Sequence, residues 1–133
     1  RRYTLRPGVY AILPRDGALL VTHQQEPWPE FQLPGGGIDA GEQPLVALHR
    51  EVYEETGWHI ARPRRLGAFR RFAYMPEYDL WAEKLCVIYT AQPVRPHGPP
   101  TEAGHTAIWR SPEQAVGELG NRGDSSFVRR FCL

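Results

Sequence analysis

An α+β fold, with a mixed β-sheet held between helices, is what this sequence predicts, and three observations predict it. The first is the run from Pro44 to Gly57, which is bounded as a helix is bounded. Proline suits the first helical turn, where its missing N–H goes unused, and glycine suits the far end, where a left-handed residue stops the helix. Between them Leu45, Leu48, Val52 and Thr56, with His49, recur at helical spacing and share one face. The second observation is that short apolar, β-branched stretches lie on both sides of this helix. The third is Ser111-Pro112-Glu113, a serine cap, a proline at the first position and an acid in the first turn, which starts another helix near the end. Strands before and after a central helix fit one domain over residues 1–133.

In chain order, Val9 to Leu13 reads as a buried strand bounded by Pro7-Gly8 and Pro14. Pro14-Arg15-Asp16-Gly17 is a turn, and Ala18 to Thr22 reads as the returning strand of a hairpin. His23 to Glu30 is polar and reads as a loop, followed by a short strand at Phe31-Gln32-Leu33. Gly35, Gly36 and Gly37 form a glycine loop whose backbone can approach an ion or a phosphate closely. Beyond the helix, Pro63 to Arg65 is a linker, Leu66 to Tyr74 a strand, and Met75 to Tyr78 an interruption. Ala82 to Ala91 is the next strand, with Leu85, Val87 and Tyr89 on one face. The proline-rich stretch Gln92 to Gly104 is expected to be the least structured, Thr106 to Trp109 a short strand, and Asp124 to Phe131 a last helix.

Composition narrows the function classes. Apolar content of 41% and charged content of 23% are ordinary for a soluble globular chain. Sixteen basic against fifteen acidic side chains give a net charge of +1, which leaves no general nucleic-acid surface. Cys86 and Cys132 lie far apart with no metal spacing, so free thiols are expected, Cys86 as a small core residue. No apolar run approaches the ~20 residues that span a membrane. The reading is cytoplasmic, with a natural start trimmed ahead of Arg1.

The helix also carries Glu51, Glu54 and Glu55, at i, i+3 and i+4. Their carboxylates fall within an arc of about 100° and repel one another, with Arg50 the cation nearby. A hard divalent cation relieves that repulsion, because Mg²⁺ takes oxygen ligands and keeps positions open for phosphate oxygens. Local chemistry therefore predicts a magnesium site facing a phosphorylated small molecule, with Mn²⁺ as the alternative ion.

Gly36, Glu42 and Arg50-Glu51-Val52-Tyr53-Glu54-Glu55-Thr56-Gly57-Trp58 form a 23-residue pattern of fixed spacing. It resembles the signature of the Nudix hydrolases, G-x5-E-x7-R-E-U-x-E-E-x-G-U with U aliphatic. Trp58, where the family has an aliphatic residue, is the one departure. The resemblance implies an α/β/α sandwich and a Mg²⁺-dependent pyrophosphohydrolase that cleaves a nucleoside diphosphate linked to another moiety. It implies Glu51, Glu54, Glu55 and the Gly35 carbonyl as metal ligands. Arg50 and Glu42 are expected to form an ion pair that fixes the loop against the helix. The general base is expected to be a box glutamate or an acid on a later loop, where Glu102 is the candidate. His105 reads as a surface residue or a phosphate contact, and His49 as a core histidine. Trp28, Phe31 and Tyr74 are candidates to stack on a base, and Arg70 to meet a phosphate. A nucleoside triphosphate is the leading substrate. Dinucleoside polyphosphates, nucleotide sugars and ADP-ribose are rivals, a non-catalytic nucleotide-binding module is the outside alternative, and a second copy is a candidate partner.

Overall fold

A computed structural model describes residues 2–133. The elements in order are β1 (Thr4–Ile12), β2 (Pro14–Arg15), β3 (Ala18–Gln24), β4 (Glu30–Gln32), β5 (Gly35–Gly37), α1 (Pro44–Thr56), β6 (Trp58–Met75), β7 (Leu80–Pro96), β8 (His105–Arg110), α2 (Pro112–Glu118) and α3 (Arg122–Cys132). One sheet has the order β5-β1-β7-β6, and in the other β3 pairs with β2, β4 and β8. The first sheet is mixed: β1 runs parallel to β7 and antiparallel to β5, while β6 and β7 are antiparallel.

Strand alternation distributes β1 between two cores. Val9, Ala11 and Leu13 pack with Ala47, Leu48 and Val52 of α1. Ile12 packs on the opposite face with Ala115 of α2 and Val128 of α3. The result is helix, sheet, helix, the layering that the sequence predicts.

Four local readings are corrected. Val9–Leu13 and Ala18–Thr22 are not partners in a hairpin; β1 joins β5 and β7, and only the stub Pro14–Arg15 pairs back onto β3. Burial on both faces draws β1 into the middle of a sheet. The glycine run is a strand, in register with Gly8, Val9 and Tyr10 of β1. Residues 63–65 are not a linker: β6 continues through them, with register shifts between Ala61 and Arg64 and between Arg65 and Gly67. The stretch from 92 is strand as far as Pro96, because β6 supplies it a partner.

Helix α1 ends as predicted, with Gly57 at φ 75° and its N–H on the Tyr53 carbonyl. Its buried face is set one position round from the predicted one: Ala47, Leu48, Val52, Glu55 and Thr56 are buried, whereas Leu45 and His49 are exposed. Helix α2 carries the full reciprocal cap between Ser111 and Gln114. Helix α3 begins before Asp124, because the Asn121 side chain caps it by accepting from the Asp124 N–H at 2.8 Å. Among the described residues no helix is long and apolar enough to cross a membrane. Both cysteines are free.

Candidate active site

The rotation of α1 sorts its acids. Glu55 lies on the buried side, its side chain 6% exposed, and Glu51, one turn earlier, is 13% exposed; Glu54 faces outward at 34%. Strand β5 lies against this part of the helix. The Gly35 N–H donates to Glu55 Oε1 at 3.1 Å. At Gly36 a Cβ would overlap the Glu51 carboxylate where it now sits, so glycine leaves that carboxylate its place against the strand.

Arg50 ties the box together. Its Nε donates to Glu42 Oε2 at 2.8 Å and its Nη2 to Glu42 Oε1 at 2.9 Å. Nη1 reaches Glu51 Oε1 at 2.9 Å and Glu54 Oε1 at 3.1 Å, and Nη2 also donates to the Gly37 carbonyl at 3.1 Å. One guanidinium thus hydrogen-bonds three acids and lies 3.6 Å from a fourth, Asp39, whereas Glu55 turns inward, away from it. The hydrogen bonds from Arg50 hold the Glu42 carboxyl at about 2, far below its ordinary value. Burial pushes Glu51 up to about 7 despite its Arg50 contact. Burial also drives Glu55 well above the ordinary carboxylate range, and the nearby Glu102 and Glu51 charges act in the same direction. Two protein acids held this way are short of positive charge.

The segment between β7 and β8 brings in the remaining groups. Thr101 N–H and Glu102 N–H both donate to the Glu54 carbonyl at 2.9 Å, and His97 N–H to the Gly57 carbonyl at 2.7 Å. The C-terminal carbonyls of α1, unused within the helix, hold this loop in place. Glu102, 43% exposed, faces His105, whose side chain is only 10% exposed. The expectation of a surface His105 is corrected: it opens β8, and Thr22 Oγ1, fully buried on β3, lies 3.1 Å from its Nδ1. Glu55, Glu102 and His105 each offer a ligand atom, all within 4.8 Å of one another. Oxygen and imidazole donors gathered around buried negative charge fit a divalent cation.

These groups open onto a cavity of about 460 Å³ lined by Gly35, Gly36, Gly37, Glu51, Glu55 and Glu102. The lining also includes Tyr10, Gln32, Arg71, Lys84, Asn121 and Asp124. Burial lifts the Asp124 carboxyl to about 6, opposed by the Leu33 N–H that it accepts at 3.3 Å.

Four predicted substrate contacts lie off this lining. Trp28 is 46% exposed and donates to Glu30 Oε2 at 3.2 Å. Phe31 packs with the core beneath α2 and α3. Arg70 pairs with Glu83 at 3.4 Å, and Tyr74 bonds Asp79 and packs on the Trp81 ring. The physical reason for the last two is strand alternation: Arg70 and Tyr74 share one face of β6, and the cavity lies on the other, with Arg71 and Met75. Arg71, next to the predicted Arg70 in the chain, lines the cavity instead. Lys84, Asn121 and Asp124 carried no sequence signal, because they come from elements remote from the box.

The layered fold and a cleft lined by one helix's acids agree with the family that the box resembles. The NUDIX domain model matches residues 3–131, and the chain belongs to that family. A Bacillus subtilis protein provisionally assigned as an 8-oxo-dGTP diphosphatase is 30% identical over 74 residues, 56% of this chain and 50% of that protein. An RNA pyrophosphohydrolase from Mesorhizobium japonicum is 50% identical over 54 residues, 35% of this chain and 31% of that protein. The match thus spans half or less of these relatives' lengths. Among solved structures, a NUDIX hydrolase from Nitrosomonas europaea superposes with a TM-score of 0.78 at 18% identity, covering 96% of this chain and 88% of that one. The MutT NUDIX hydrolase from Burkholderia pseudomallei gives 0.76 at 20% identity, covering 96% and 98%. At these identities the likeness is one of fold.

Proposed function

We propose that this domain is a divalent-metal-dependent pyrophosphohydrolase acting on nucleotides, with a nucleoside triphosphate as the leading substrate. The observation that carries the reading is one cavity lined both by buried acids of α1 and by polar side chains from outside the box, Arg71 and Lys84 among them. A metal-bound diphosphate needs the first, and the moiety attached to it needs the second.

Glu51, Glu54 and Glu55, with the Gly35 carbonyl and Glu102, would hold Mg²⁺ or Mn²⁺. When bound, the ion neutralises the diphosphate, orients it and lowers the pKa of a bound water. The chain's own work is positional. Arg50 and Glu42 clamp the strand β5 to the helix, and Gly36 lets backbone and carboxylate meet. The main-chain bonds to Glu54 hold Glu102 at the mouth of the cleft. Water attacks phosphorus, the P–O anhydride bond breaks, the proton passes to a carboxylate of the cluster, and two phosphorylated products leave.

A second reading, hydrolysis at the triphosphorylated 5′ end of an RNA, is favoured by the 50% identity to an RNA pyrophosphohydrolase. Against it, those enzymes often carry Pro-Gln-Gly where this chain has Pro34-Gly35-Gly36. Dinucleoside polyphosphates, nucleotide sugars and ADP-ribose complete the test set. The experiment is a phosphate-release screen with Mg²⁺, then Mn²⁺, across these classes and nucleoside triphosphates. Turnover of a triphosphate that Glu54→Gln largely abolishes, with the fold intact, is the expected result. Nucleotide binding without turnover in any class would instead identify a non-catalytic module. The same reading places the protein in the cytoplasm and leaves a homodimer to be checked by light scattering.

A further inference from the structure

We infer that His105 is a metal ligand, through Nε2, so that the cation site is of mixed nitrogen and oxygen character and prefers Mn²⁺ to Mg²⁺ more strongly than carboxylates alone would. The inference rests on the metal-dependent reading above and adds to it a residue outside the signature.

The geometry is the first ground. His105 Nε2 lies 3.6 Å from Glu102 Oε2, and His105 Nδ1 lies 3.8 Å from Glu55 Oε2. Both separations are too long for hydrogen bonds. Two donors each about 2.1 Å from one ion stand about 3.0 Å apart at a right angle and about 4.2 Å apart in trans. The 3.6 Å gap falls inside that range. The ligand atoms of Glu55, Glu102 and His105 all lie within 4.8 Å of one another, at most about 0.6 Å beyond the trans separation.

The second ground is the other side of the ring. Nδ1 lies 3.1 Å from the hydroxyl of Thr22, which is fully buried in β3. A metal-bound imidazole generally donates its second N–H to a fixed acceptor, which sets both the tautomer and the ring plane. With Nδ1–H on Thr22 Oγ1, the Nε2 lone pair points toward Glu102. The ring is 10% exposed and the Glu55 side chain 6%, so neither of these two is turned to solvent, while Glu102 stands at the opening with 43%. Imidazole suits transition ions better than Mg²⁺, which takes oxygen donors.

The test is Mn²⁺ bound at one equivalent to the full chain, read by pulsed electron paramagnetic resonance. Directly coordinated ¹⁴N coupling is expected in the wild type, and its loss in His105→Asn and in the bulkier His105→Gln, either of which suffices if it folds. The variants exclude the other four of the chain's five histidines as the source. Mn²⁺ affinity should fall roughly 10-fold or more in the variants, and Mg²⁺ affinity by less. Bound Mn²⁺ without nitrogen coupling in the wild type, coupling that survives in the variants, or equal losses for the two ions would each overturn His105 as a ligand. Absence of any bound Mn²⁺ would instead defeat the metal reading of the cleft, and this inference with it.

Discussion

Arg50 and Glu42, eight residues apart, meet in a two-pronged ion pair, Nε to Oε2 at 2.8 Å and Nη2 to Oε1 at 2.9 Å. The planar fork of arginine makes both bonds while Nη1 serves Glu51 and Glu54; a lysine ammonium has no such geometry. Arg50→Lys is therefore expected to keep the charge, the fold and the circular dichroism spectrum, yet to lower kcat on the order of 10²-fold through misplaced acids. Carboxyl NMR should show Glu42 returning from about 2 toward its ordinary 4.5. The sign follows from linkage: a depressed carboxyl stabilises above its unfolded pKa, and that contribution disappears as pH falls from 4.5 to about 2. Arg50→Lys should lose stability at neutral pH relative to pH 2, where both proteins have lost the pair.

Gly57 serves two structures at once. Its φ of 75° ends α1, and a Cβ there would run into the Gly98 carbonyl of the loop that carries Glu102. Gly57→Ala should cost about 1–2 kcal/mol from the left-handed backbone alone. It should also loosen the loop, seen as faster hydrogen exchange at the Thr101 and Glu102 amides. Unchanged exchange at those amides would show that the loop is held independently of Gly57.

Arg70 and Arg71 are neighbours in sequence with opposite surroundings. Arg71 lines the cavity and lies 3.7 Å from the buried Glu30, whereas Arg70, 65% exposed, pairs with Glu83 on the other face. Arg71→Ala is expected to raise KM for a nucleotide about 10-fold or more and to lower thermal stability, since it strands a buried carboxyl. Arg70→Ala should leave both near wild type. Equal KM effects from the two would refute the assignment of the cavity face.

Asp124 gives the fold a pH dependence of the opposite sign to Glu42. Its folded pKa of about 6 exceeds the ordinary 3.8. The native state therefore holds a proton between those values that the unfolded chain has released, and stability falls as pH rises through this window. Asp124→Asn removes the titration while keeping an acceptor for the Leu33 N–H. In urea unfolding, the variant should gain on the wild type between pH 4 and pH 6, by up to about 3 kcal/mol. A difference that stays flat across those values would contradict a carboxyl whose pKa is lifted by burial.

Legibility differed sharply between parts of the site. The helix limits at Pro44 and Gly57, the Ser111 cap and the box spacing are all local, so the sequence could be read directly for them. The predicted apolar face of α1 included Leu45 and His49, both exposed. What sets it is the packing of Ala47, Leu48 and Val52 against Val9 and Ala11 of β1, which helical periodicity does not contain. The glycine run looked like a loop because glycine punctuates turns, and it is a strand because Gly8 to Tyr10 provide its partner.

By itself the sequence determined that one helix would carry three acids at fixed spacing beside an arginine, within a fold of helices layered on a mixed sheet. Propensity, caps and periodicity act over a few residues, and those features need nothing more. Only the tertiary structure decided that Glu55 would part from Arg50, that His105 of β8 would come within 3.8 Å of Glu55 of α1, and that Arg71 rather than Arg70 would face the cavity. Those relationships depend on register, sheet face and strand order, which are set by the packing of segments far apart in the chain.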